Sequence, residues 1–415
     1  MGYRRYAAPL KRAERYLLAL FLVALPFDLI RPTAVLLLLT IASWVFRKPI
    51  WKGLQQAARQ PAFWLLAGLA LIHLVAPLYG ESLEALRRPL EKKTALLVLP
   101  LYFATNRLRA RDQRFWVQAF VLGCLALVVV SFPVSHWMHS QHFPDIAAHR
   151  YLTGQSLLWF LNVHRVYASM AVLLGGILLV HHPALDRLKY WRYGLAFLFV
   201  AFTLLLSSKL FLLFMGGLAV LYMLRLPFPQ KLLPLGLLLL AGVAVWSLPS
   251  TRNHMRMFTR DVSGIAPEKL SKGNGVATRL LIWQETWKLI QERPITGYGI
   301  KGSGKALHAA YAERGFKDGV RHKLNCHNQF LQSWLELGLP GLLWLLAVFG
   351  AGFYRAWQYK DWIFFIFLLL SMAGMTTENM LERQMGIFIF AFWLSFGWFG
   401  GLRPSLPVNT RAPDR

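Results

Sequence analysis

Residues 115–133 read Phe115-Trp-Val-Gln-Ala-Phe-Val-Leu-Gly-Cys-Leu-Ala-Leu-Val-Val-Val-Ser-Phe-Pro133. No Asp, Glu, Lys or Arg interrupts the run. Its length matches the roughly 20 mostly apolar residues a helix needs to cross about 30 Å of hydrocarbon. Comparable runs lie near 16–30, 33–46, 62–79, 94–105, 166–181, 192–206, 210–225, 232–249, 340–356, 361–376 and 385–401. The expectation is an all-α polytopic membrane protein with about twelve transmembrane helices. Composition points the same way. Of 415 residues, 56% are hydrophobic and only 16% are charged, against about 25% charged in an ordinary soluble domain. A soluble globule and a disordered chain are both excluded. Cys124 and Cys326 are too few for a disulfide framework or a Cys-rich zinc module. The first apolar run lacks a small-residue cleavage site and ends Leu29-Ile-Arg-Pro32, so no cleaved leader is expected.

Lys plus Arg is 46 and Asp plus Glu is 19, a net charge of +27. The excess gathers at every second connection. Arg4, Arg5, Lys11, Arg12 and Arg15 precede the first run; Arg47, Lys52 and Arg59, then Arg107, Arg109, Arg111 and Arg114, then Arg187 and Arg192 repeat the bias. Cytoplasmic segments carry such an excess, so both termini should be cytoplasmic and no nucleic-acid face is implied. The expected layout is nine spans in 1–249, a long outward loop over 250–339, three spans in 340–402 and a cytoplasmic tail over 403–415.

Basic residues also occupy the translocated side, against the insertion bias. Residues 80–93 hold Arg87, Arg88, Lys92 and Lys93 against Glu81, Glu84 and Glu91. Residues 134–165 are rich in histidine and end Asn162-Val-His-Arg165, and the 250–339 loop is strongly basic. An anionic partner explains this, as does plain solvation or contact with anionic headgroups. His136, His139 and His142 step by three, which suits a metal ridge or solvated loop histidines.

Within the long loop, Leu280, Trp283, Trp287 and Ile290 recur at helical spacing between Thr278, a candidate N-cap, and Pro294. A charged face and two tryptophans predict a helix lying along the membrane interface. Glycines 297, 299, 302 and 304 follow, read as a linker or as backbone that approaches a ligand closely. Gly299 to Lys305 has Walker-loop spacing, but Ala306 stands where Ser or Thr must be. Asn328 is placed to cap a helix to about Leu337, with Gly338 ending it and Pro340 opening the next span. His327 then precedes a helix N-terminus, where a cation is disfavoured. A neutral imidazole suits a general base, although from composition alone a lone histidine is more often structural. Glu378 and Glu382 follow the eleventh run and are placed to orient a basic residue.

The segment His327-Asn328-x-x-Leu331-x-x-x-x-Glu336-x-Gly338-x-x-Gly341 resembles the signature of the O-antigen ligase and polymerase superfamily. Arg279-x-x-x-Trp283 leading into Pro294-Ile-Thr-Gly-Tyr-Gly299 resembles it too. So does Leu206-Ser-Ser-Lys209, with Lys where that family has Arg, which keeps the charge but not the bidentate fork. The resemblance covers the span layout and the order of all three motifs.

The resemblance implies a GT-C-like glycosyltransferase of the bacterial inner membrane with a periplasmic active site. Its donor would be O-antigen polysaccharide on undecaprenyl diphosphate, its acceptor the lipid A-core oligosaccharide, with membrane lipid around both. Lys209, Arg279, Arg165 and Arg88 would bind the donor diphosphate, Arg279 also serving catalysis. His327 would act as general base in a single inverting displacement, with Asn328 and Glu336 in support. No Asp-x-Asp occurs, so no metal and no cofactor are expected, cations replacing a divalent ion at the diphosphate. A polymerase or a protein O-oligosaccharyltransferase of the same superfamily is an alternative reading. A lipid or sugar transporter is one of another class, although no internal repeat supports it.

Overall fold

The computed structural model describes residues 3–47, 50–75, 87, 91–142, 151–161, 163–206, 210–211, 214–217 and 275–402. The described residues are helical, without a strand. In chain order the helices are α1 Tyr3–Ala24, α2 Ile30–Arg47, α3 Ile50–Ala58, α4 Pro61–Val75, α5 Ala95–Thr105, α6 Ala110–His142, α7 Arg165–His181 and α8 Trp191–Leu205. After 275 come α9 Gly275–Glu292, α10 Ile300–Glu313, α11 Lys317–Arg321, α12 Gln329–Gln358, α13 Trp362–Thr377 and α14 Gln384–Trp398.

Among the described residues α6 and α12 are each long and apolar enough to cross a membrane. Two further candidates are bent pairs, Arg31–Arg47 with Ile50–Ala58 at 99° and Gly154–Leu161 with Arg165–His181 at 92°. The shorter apolar helices include α8, α13 and α14. Of the expected span at 210–225 only 210–211 and 214–217 are among the described residues, and the expected span at 232–249 lies outside them. The run at 16–30 is cut short: α1 stops at Ala24, a 3₁₀ turn spans Leu25–Phe27 around Pro26, and Asp28 takes φ 48. Proline lacks the N–H a continuing helix needs. The run at 115–133 is instead extended, through Pro133, to His142. His136, His139 and His142 therefore stand on a helix, not in a loop. His139 stacks on Tyr151 at 4.4 Å, and His136 Nδ1 lies 2.9 Å from the Tyr151 hydroxyl. Among the described residues no group of three His, Cys, Asp or Glu is placed to hold a metal ion.

The main core is built around α14. Every residue from Met385 to Trp398 is buried, as a helix apolar on all sides requires. Its rings interlock edge to face with neighbouring helices: Phe392 with Phe103 at 5.5 Å and Trp393 with Phe120 at 4.8 Å. Residues after 275 form a second, smaller core of Leu281, Ile282, Leu289, Ile290, Leu307, Tyr311, Phe316, Leu324, Cys326 and Leu335. The buried stripe of α9 differs from the expected one. Leu281, Ile282, Glu285, Thr286, Leu289 and Ile290 face inward, whereas Leu280 and Trp287 are 43% and 45% exposed. Thr286 and Glu285 tolerate burial because the Ile282 carbonyl takes the hydroxyl at 2.7 Å and Lys288 pairs with the carboxylate at 2.9 Å. Because α9 starts at Gly275, Thr278 lies inside its first turns and does not cap it.

Candidate functional site: a carboxylate hub between the two cores

Asn328 caps α12, its Oδ1 accepting from the Phe330 and Leu331 amides at 2.9 and 3.2 Å. Just before it, His327 takes φ 46, and its amide donates to Asn325 Oδ1 at 3.1 Å. Such a left-handed residue is uncommon unless the chain over-determines it. Here Cys326 is buried, and its carbonyl accepts from Trp283 Nε1 at 3.1 Å. The turn directs the ring to Glu378, with Nδ1 3.4 Å from Oε2. Arg279 Nη2 donates to the other oxygen, Oε1, at 3.0 Å, and His164 Nε2 lies 3.9 Å from it. Glu378 ends α13 and is buried, while its three cationic or ionisable partners remain partly open.

Electrostatics keep this carboxylate ionised. Burial works to raise its pKa, but the hydrogen bond with His327 and the charges of His164, His327 and Arg279 outweigh it, bringing Glu378 to about 2. His164 moves down to about 4, chiefly through burial, with Arg383 and Arg165 adding to the shift and Glu378 opposing it. Arg279, whose guanidinium keeps its charge at every pH, is the lasting counter-charge of Glu378. Arg165 opens α7; its amide donates to Gln155 Oε1 at 2.9 Å. Its charge lies close enough to Arg279 and Glu378 to interact with both. Guanidinium groups thus crowd a hub that holds one buried carboxylate, an arrangement suited to an anionic group.

The turn that carries Glu378 is pinned on two sides. Asn379 Oδ1 accepts from the Asn328 amide at 2.8 Å, and its Nδ2 donates to Gln332 Oε1 at 2.8 Å. Gln332 Nε2 in turn donates to Glu336 Oε1 at 2.6 Å, so the buried Glu336 reaches the site only through that chain. Gln329 Oε1 accepts from the Leu381 amide at 2.7 Å. From the other side Lys93 Nζ lies 2.7 Å from Glu382 and 2.6 Å from His73 Nε2, with Lys92 at 3.6 Å from Glu382. The lysines of the 80–93 segment thus have an internal anion, and Arg87 has Glu91 at 2.8 Å.

Gly338 breaks α12 with φ 67, and a Cβ there would collide with the Ile295 carbonyl oxygen. Across this break the Tyr298 and Gly299 amides donate to the Leu335 and Glu336 carbonyls at 2.8 and 2.9 Å. Gly297 and Gly299 serve that backbone-to-backbone contact, and Gly302 and Gly304 lie inside α10. The glycine run is therefore neither a linker nor, in its second half, a loop.

Of the residues expected from sequence, Arg279, His327, Asn328 and Arg165 converge on the Glu378 hub. Lys209 and Arg88 lie outside the described residues. His164, Asn379, Gln329 and Gln332 were not singled out. The sequence signal for two of them was polar residues in the outward turns, in the Asn-Val-His-Arg and Glu-Asn segments at the ends of apolar runs.

Residues 193–346 match the family model described as O-antigen ligase. The match includes Arg279, His327, Asn328 and Glu336; Arg165 and Glu378 fall outside it. A protein of Haemophilus influenzae described as uncharacterized is 27% identical over 81 residues, 20% of each chain. The chain thus spans about a fifth of the length of that curated relative.

Proposed function

We propose that this chain, whose residues 193–346 match the family model described as O-antigen ligase, is the ligase itself. It transfers O-antigen polysaccharide from undecaprenyl diphosphate to the lipid A-core oligosaccharide, at the periplasmic face of the inner membrane and across a bundle of about twelve spans. The observation that carries the reading is the contact of Glu378 with both Arg279 and His327. With Nδ1–H turned to the carboxylate, Nε2 of His327 keeps its lone pair for the acceptor hydroxyl. As that proton arrives, Glu378 offsets the positive charge on the ring. The deprotonated oxygen attacks the anomeric carbon, the bond to the diphosphate breaks, and the configuration inverts. Arg279, with Arg165, Lys209 and Arg88 as further cations, neutralises the departing diphosphate. No nucleotide is consumed, because the diphosphate linkage is already activated.

The test is reconstitution of purified protein with undecaprenyl-diphosphate-linked glycan and lipid A-core, without nucleotide and with chelator. Glycan on lipid A-core is the expected product. Longer glycan left on the polyprenol would make the chain a polymerase. Movement of the lipid across the vesicle without transfer would make it a transporter and remove the roles given to His327 and Arg279.

A further inference from the structure

Far from the Glu378 hub, a cavity of about 480 Å³ opens between the start of α6 and the 3₁₀ turn Pro183–Leu188, and Arg15 of α1 completes its wall. The two sites lie at opposite ends of α7, which begins at Arg165 and ends at His181, about 25 Å away at the helical rise. Arg15, Arg111, Arg114 and Arg187 line the cavity together with Phe115 and Gln118. Arg111, Arg114, Phe115 and Gln118 are three or four residues apart and so share one face of α6. Gln118 Nε2 donates to the Ala184 carbonyl at 2.9 Å, which holds the turn, and Arg187 with it, against that face.

The charges are unbalanced. Arg15 is partly engaged, 3.4 Å from Asp112 and 4.4 Å above the Phe115 ring. Asp186, the nearest acid to Arg187 in the chain, pairs with Arg192 at 3.0 Å. Among the described residues no carboxylate pairs with Arg111, Arg114 or Arg187. Arg111, Arg114 and Arg187 are exposed, so water and salt screen part of their mutual repulsion, and an anion seated among them removes more of it. Guanidinium groups grip phosphate oxygens in pairs. Phe115 supplies an apolar wall, and Tyr16, 48% exposed, packs on it at 5.5 Å, as an aromatic at headgroup depth does.

We propose that this cavity binds the phosphate headgroup of an anionic phospholipid, with a doubly phosphorylated headgroup of the cardiolipin type as its best match in charge. Basic cavities between helices at the membrane surface hold such headgroups. The site owes nothing to the transfer chemistry and stands whether or not that reading holds.

The test is native mass spectrometry of the full-length protein in detergent, titrated with cardiolipin and, separately, with phosphatidylethanolamine. Wild type is expected to prefer cardiolipin. Each arginine beside an anionic surface is worth about a five-fold change, so the triple variant Arg111→Ala, Arg114→Ala, Arg187→Ala should bind on the order of 100-fold more weakly. A control triple, Lys52→Ala, Arg59→Ala, Arg107→Ala, removes the same charge from positions that are likewise exposed but lie outside the cavity, and should keep wild-type affinity. The corresponding Gln triple at 111, 114 and 187 keeps most of the side-chain stems and should lose binding equally, which separates lost charge from misfolding. Equal loss in the cavity and control triples, or no loss in either, overturns the site. Inorganic pyrophosphate displacing cardiolipin and binding alone as tightly would give the cavity to a soluble anion and overturn the lipid assignment.

Discussion

His327 stands beside a buried carboxylate rather than in the apolar core, which suits a proton-accepting role. Its φ of 46 is a conformation that His shares with Asn. His327→Ala is expected to lower transfer by roughly 10²–10⁴-fold, the usual worth of general-base help. His327→Asn, which tolerates the same backbone, should lose as much while keeping the turn. Near-normal ligation by either variant at equal expression would remove the base. Arg279 differs in kind, because it faces both a fixed carboxylate and the proposed diphosphate. Arg279→Lys keeps a charge but not the planar fork, so it should retain more donor use than Arg279→Ala. A steady-state comparison at varied donor concentration checks this, and wild-type behaviour of both would take Arg279 out of the site.

α12 shows how far a single element is legible in sequence and where legibility ends. The Asn328 cap, the Gly338 break and the Pro340 restart are local signals, and each appears where residue chemistry puts it. What lies opposite the break is not local. The backbone of residues 294–299 docks there through amides and carbonyls, which no side-chain pattern encodes. Gly338→Ala should therefore be costly twice over, through the left-handed backbone and through collision with Ile295. A loss of about 1–3 kcal/mol is expected, read as a lower apparent Tm, with transfer falling because the His327 turn begins the same segment. Unchanged Tm and activity would show that the break does not need glycine. The glycine run and the α9 stripe were misread from sequence for a related reason. Periodicity reports which residues are apolar, but Thr286 and Glu285 are buried because, beside Ile282 and Lys288 on α9 itself, Cys326 and Arg314 from elsewhere in the fold lie against them. Likewise Glu378 was legible as an acid at the end of a run, whereas its meeting with Arg279, 99 residues earlier, is a tertiary fact.

At the scale of the whole molecule Glu378 ties the two cores, together with Asn379 and with α12, which gives Leu335 to one core and Leu345 to the other. It leaves α13 of the main core, reaches Arg279 of α9 in the second core, and touches the turn before α12 and the entry to α7. That tie should depend on acid. The folded pKa of Glu378, about 2, lies below its ordinary value of 4.5, so the ionised form stabilises the native state. This contribution is complete above about pH 4.5 and is lost as pH falls toward 2. Lowering the Glu378 pKa to about 2 corresponds to at most about 3 kcal/mol. Glu378→Gln removes the charge at every pH. Wild type should therefore be the more stable protein at neutral pH, and the gap should close as both are acidified from pH 5 to pH 3. Apparent Tm measured in one detergent across that range checks the sign. A gap that stays constant, or widens, on acidification would mean that Glu378 holds the cores together by packing rather than by charge.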